Sequence, residues 1–74
     1  METYNIKLRN KNWIKIETGD REGKLSSNIR HNKKSDLFLS GIESLLLAMA
    51  CSGIDISTSK MKEAIETAID TAEK

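Results

Sequence analysis

The chain has 74 residues, a formal net charge of +1, one cysteine and no proline. A chain of that length forms one domain with a small core, burying roughly 60% of its unfolded surface and keeping only a few kcal/mol of net stability. An intramolecular disulfide is excluded because Cys51 has no partner, and a structural zinc site needs three or four ligands where Cys51 and His31 offer two, which leaves self-association as the common route to further stability.

The longest unbroken apolar run is Leu45 to Cys51, well short of the about 18 residues of a membrane span. Met1 to Asn10 contains no apolar stretch of the kind a signal peptide carries. With one thiol, a reducing, cytoplasmic setting is expected. Charge divides along the chain: residues 1–34 hold nine Lys or Arg against four Asp or Glu, and residues 35–74 hold three against seven. Such a division can make complementary surfaces between subunits or an anion-attracting face.

In chain order, Tyr4, Ile6 and Leu8 alternate with polar residues, and the alternation resumes at Ile14 and Ile16 after Asn10 to Asn12. Period two on both sides of a polar break predicts an antiparallel hairpin with one buried face, and Asn10 or Asn12 suits a positive φ in a three-residue loop. Trp13 falls on the hairpin's second face or against a partner. Gly19 to Gly23 is a turn with two glycines. Lys24 to Arg30 reads either as a third, irregular strand anchored by Leu25 and Ile29 or as part of a long basic connector that continues through His31 to Asp36.

From Asp36 to Cys51 the period is helical, with Phe38, Ile42, Leu45, Leu46 and Met49 on one stripe. Ser35 or Asp36 caps this helix, in preference to a later start at the Ser40/Glu43 capping box. Gly41 inside it costs about 1 kcal/mol and permits another backbone to come close. Leu47 lies about 140° from Ile42 around the helix. Leu37, Leu47, Ala48 and Cys51 therefore form a second apolar side, and with Glu43 at its edge they are the expected oligomer interface. Gly53 is placed as the left-handed residue that ends the helix. Asp55 is expected to hold backbone amides at Ser57 or Thr58. Ser57 or Ser59 caps a second helix whose stripe is Met61, Ala64, Ile65, Ala68 and Ala72, with Ile69 at its edge.

The expected fold class is α+β in a single domain. An N-terminal antiparallel β-hairpin or small sheet and basic connector (1–34) precedes an antiparallel two-helix hairpin (35–74). The expected core is Ile6, Leu8, Ile14, Ile16, Phe38, Ile42, Leu45, Leu46, Met49, Ile54, Ile65 and Ala68.

No nucleophile, base and orienting acid are grouped along the chain, and there is no phosphate-loop or zinc-protease motif. No enzymatic activity, cofactor or metal is expected. His31 reads as a surface residue, and Cys51 packs as a small hydrophobe. The signal for ligand binding is basic: Arg21, Lys24, Arg30 and Lys33, with Lys34, can hold phosphate if they converge, and Trp13 or Tyr4 can stack on a base.

The segment GIESLLLAMACSGIDI, Gly41 to Ile56, resembles the C-terminal helical signature of small bacteriophage and prophage proteins, of the form G-I/L-E-S-L-hydrophobic-L-A-x-A-C-x-G-I/V-D. With the following helix the likeness extends from Ser40 to Ala72. Within that set it is similar to the anti-defence sponges that inhibit Thoeris immunity, non-enzymatic oligomers that sequester cyclic nucleotide signals with a small β-sheet followed by paired helices. The resemblance implies a phage or prophage accessory protein in a bacterial cytoplasm, an oligomeric helical core and no catalysis. The leading expectation is thus a homo-oligomer that binds and sequesters an anionic nucleotide. The alternatives are an inhibitor or assembly factor that binds a host or phage protein, and a small nucleic-acid-binding protein, which the acidic second helix disfavours.

Overall fold

Alternating side chains make a stable strand only where something covers the apolar face, and here the helices supply that cover. In the computed structural model, which describes residues 2–73, the chain runs β1 (Glu2–Lys7), a 3-10 turn (Arg9–Lys11), β2 (Trp13–Thr18), β3 (Gly23–Ser27), α1 (Asp36–Cys51) and α2 (Ser59–Glu73). The fold is α+β, with an N-terminal three-stranded antiparallel sheet of order β1-β2-β3 followed by two helices. The third strand forms, shorter than Lys24 to Arg30 at its far end and one residue longer at its start. Among the described residues, no helix is long and apolar enough to cross a membrane.

Register follows from the turns. Ile6 pairs with Ile14 and Tyr4 with Ile16, while Ile16 pairs with Leu25 and Ile14 with Ser27. Because side chains alternate between faces, Tyr4, Ile6, Ile14, Ile16 and Leu25 share the face beneath which the helices lie. The β1–β2 connection is closed by Asn12 N–H donating to Arg9 O at 3.1 Å and Leu8 N–H to Asn12 O at 2.8 Å. Asn10 and Lys11 both take left-handed φ, 58° and 61°, as in the primed turns that match strand twist. Asn10 tolerates that conformation, whereas Lys11 holds it at a steric cost. Asn12, the other residue considered for a positive φ, is extended.

Helix ends carry specific polar partners. Asn32 organises the start of α1, its Oδ1 accepting from the N–H groups of Lys34 and Ser35 at 2.9 Å each. Ser35 makes no side-chain cap and is buried, so the capping role expected of Ser35 or Asp36 belongs to the residue one turn earlier. At the other end Gly53 takes φ 83°, with Gly53 N–H donating to Ala50 O and Ile54 N–H to Met49 O. This is the paired-bond Schellman termination. Thr58, rather than Ser57 or Ser59, caps α2 by accepting from Met61 N–H at 3.2 Å. Ser57 is already engaged, since Asp55 Oδ1 accepts from both its N–H at 2.9 Å and its hydroxyl at 2.6 Å.

The buried core is Ile6, Leu8, Ile14, Ile16, Leu39, Leu46, Ala50, Ile56, Ile65 and Ile69. Phe38, Leu45 and Ile54, expected there, are exposed, and Ile42 and Met49 are only partly buried. Ala64 is exposed and Ile69 is central on α2. For Phe38, Ile42, Leu45 and Met49, all on α1, one geometric cause suffices. The side of α1 turned inward runs through Ser35, Leu39, Leu46 and Ala50, roughly 50° around the helix from Ile42 at about 100° per residue.

The same rotation moves Leu47 inward. It packs against the core, and at Gly23 an added Cβ would lie 2.8 Å from Leu47 Cδ1 and 2.7 Å from Cys51 Sγ. Leu47 and Cys51 therefore flank β3, and the second apolar side expected to include them is displaced. Glu43, expected to reach toward another copy, is engaged within its own chain: it accepts from the Ser27 hydroxyl at 3.2 Å and lies 3.0 Å from His31 Nε2. His31 Nδ1 is 2.9 Å from Asp36 Oδ1, so its ring bridges the connector to α1.

Candidate functional site

The helices cover one face of the sheet and leave the other open. On that open face the register sets Lys7 directly opposite Trp13 and Asn5 opposite Lys15. Trp13 and Lys15 sit two residues apart on β2 and so point the same way. Trp13 is 41% exposed, although it is the largest apolar side chain in the chain. Asn5, Lys7, Lys11, Asn12, Trp13 and Lys15, together with Ile6, Leu8 and Ile14 of the core, line a concavity of about 570 Å³, within the range of about 300 to 1,000 Å³ for small-ligand sites.

Three sets of bonds hold this corner in place. Trp13 N–H donates to Asn28 Oδ1 at 2.8 Å, and Asn28 Nδ2 donates to Lys11 O at 3.0 Å, so the side chain of Asn28 clamps the turn from the β3 side. From the helical side, Arg9 N–H donates to Glu66 Oε2 at 2.8 Å, while the Arg9 guanidinium lies 3.3 Å from Glu66 and 2.5 Å from Asp70. The third set is the pair of backbone bonds that close the turn. These bonds fix the backbone at Trp13 and the turn that precedes it.

The charge at this corner is one-sided. Lys15 lies 3.8 Å from Glu17, and Lys7 and Lys11 belong to none of the ion pairs among the described residues. The lining thus offers a flat aromatic face, three ammonium groups and two side-chain amides, a set that suits stacking, phosphate contact and hydrogen bonding to a base edge.

The basic residues expected at the site do not gather. Arg21 is in the β2–β3 turn, at the opposite end of β2 from Trp13. Lys24 stands on the open face but opposite Glu17, four residues along the sheet from the level of Trp13, or about 13 Å. Arg30 and Lys33 lie past the end of β3 in the connector to α1. Tyr4 and Trp13 are on opposite faces. Tyr4 packs against the core and its hydroxyl donates to Glu2, a bond that raises the phenol's pKa above its ordinary value, with burial and the nearby charges of Glu2 and Asp55 adding to it. Of the seven residues expected to bind an anion, Lys34 included, Trp13 alone lies at the concavity.

Lys7, Lys11 and Lys15 were the residues missed. The turn is Arg9–Lys11, one residue earlier than the polar break Asn10 to Asn12 suggested, and that shift sets Lys7 opposite Trp13, with Lys15 on the same face by parity. The expected interface residues also separate, with Leu37 and Ala48 exposed and Leu47 and Glu43 turned toward the strands. In comparisons with protein-family models, curated proteins and solved structures, no match to this chain was found.

Proposed function

We propose that this protein is a non-enzymatic accessory protein that binds and sequesters an anionic nucleotide on the open face of its sheet, with the base stacked on Trp13 and the phosphates held by Lys7, Lys11 and Lys15. The observation that carries this reading is the direct pairing of an exposed tryptophan with a lysine on a face no helix covers. A single aromatic platform and a concavity of about 570 Å³ suit one base with its phosphates better than a long strand, which proteins usually track with several stacking residues.

The likeness of Gly41 to Ile56 to phage and prophage helical segments supports the same reading by analogy, and with it a bacterial cytoplasmic setting and self-association. Arg21, Lys24, Arg30 and Lys33 take no part in the site as proposed. They add to the basic character of residues 1–34 and so to long-range attraction of an anion.

Calorimetric titration with a panel of mononucleotides, cyclic nucleotides and cyclic dinucleotides tests the reading, with inorganic phosphate as the control for charge alone. Saturable heat is expected for at least one nucleotide, weaker as salt rises and absent for inorganic phosphate. No heat across the panel at ~100 μM protein would rule out any affinity useful for sequestration.

A further inference from the structure

The face of α1 turned away from the sheet carries Leu37, Phe38 and Leu45, which are 88%, 48% and 61% exposed. They recur at helical spacing with Gly41 between them, and together with Lys34 and Ile42 they line a groove of about 580 Å³. Gly41 has no structural reason within the protomer. Its φ is not left-handed, and a Cβ built there meets nothing within 4 Å. A glycine inside a helix weakens it, and its compensation is that another backbone can approach closely.

We propose that α1 pairs antiparallel with α1 of a second copy, about a two-fold axis next to Gly41 and Ile42. The inference rests on the reading that the chain self-associates and names the surface that does it. Phe38 and Leu45 lie equally far along the helix on either side of that point. An isologous pairing therefore sets Phe38 of each copy against Leu45 of the other, with the two Gly41 positions opposed where the helices come closest.

Charge selects the same arrangement. The last turn of α1 has no basic side chain, and the helix dipole gives that end partial negative charge even with its carbonyls capped. The two-fold brings Lys34, which precedes α1, to the level of Met49 in the other copy, so each helix end meets a cation. A parallel pairing places like ends together and offers no such match. The surface is complementary to itself, which is why its occupant is a second copy and not another protein's helix.

Sedimentation velocity on the full chain and on Gly41→Leu and Leu37→Lys separates the outcomes. Gly41→Leu fills the groove at the axis, and because open space surrounds that position in the protomer the variant keeps its fold. A dimer is expected for the unaltered protein, with at least tenfold weaker association in each variant and circular dichroism unchanged. In a Cys51→Ser background, Gly41→Cys should oxidise to a covalent dimer while Lys62→Cys on the second helix should not. A dimer undisturbed by Gly41→Leu would overturn this interface while leaving self-association standing, and a monomer at every concentration up to ~500 μM would overturn both.

Discussion

The two faces of the sheet are built from the same three strands and follow opposite rules. Inward, Ile6, Ile14 and Ile16 are almost fully buried and define where the helices sit. Outward, at positions one residue away, stand Lys7, Trp13 and Lys15. Burial explains the first set completely. It does not account fully for the second, because Trp13 keeps 41% of its surface exposed among lysines. A large aromatic placed outside, on a strand whose backbone Asn28 clamps, is the stronger pointer to a ligand.

The sharpest break of this contrast is Ile16→Ala. Removing a fully buried side chain at the centre of the inner face should cost about 2 to 5 kcal/mol, a large share of what a domain this size holds. A urea melt should show a much lower midpoint or no folded baseline.

Trp13→Ala probes the outer face and should behave in the opposite way. Loss of stacking is expected to weaken nucleotide binding by about 1 to 3 kcal/mol. The urea midpoint should shift by less than ~1 kcal/mol equivalent, as for a surface position. Equal damage to stability and binding would mean that the two faces are not separable.

Gly23→Ala tests how α1 is seated on β3. The added methyl meets Cys51 Sγ and Leu47 Cδ1, both at the ends of side chains that can move, so the cost should be about 1 kcal/mol from overpacking. Cys51→Ala in the same chain should restore part of it. A double-mutant cycle measured by denaturation reads that coupling, and strict additivity would argue against the close approach.

The smallest effect concerns Asp55. Its carboxyl is held below the usual carboxylate range by the Ser57 hydroxyl first and the Ser57 N–H second. A group whose pKa is lower folded than unfolded stabilises the fold above its unfolded value, near 3.9, and that contribution disappears as pH falls through the folded value. Asp55→Asn should therefore lower stability slightly at pH 7 and converge with the unaltered protein in acid, which flattens the loss of stability below about pH 4. An unaltered acid profile would assign no stabilising role to this turn.

Much of the architecture could be read from residue spacing. Alternation located both strands of the hairpin, the bounds Asp36 to Cys51 hold for α1, and Gly53 ends that helix through its left-handed φ. The inward side of α1 could not be read. Leu37 to Cys51 is apolar nearly all round, so periodicity gives no unique stripe, and only the positions of β3 and α2 choose Leu39 and Ala50 over Phe38 and Leu45. The site was misplaced for a related reason. Arg21, Lys24, Arg30 and Lys33 cluster along the sequence, but a β-strand spreads sequence neighbours over more than 10 Å, whereas Lys7 and Trp13 meet because the hairpin folds back.

The most direct test of the account uses the fact that Trp13 is the chain's one tryptophan, so its fluorescence reports the proposed platform alone. Titrating nucleotide into the unaltered protein should quench that emission saturably, and Lys7→Glu with Lys15→Glu should abolish the quench without changing the thermal melt. Nucleotide binding, detected by calorimetry, that leaves Trp13 emission unchanged and survives both lysine reversals would contradict the assignment of the site to the open face of the sheet.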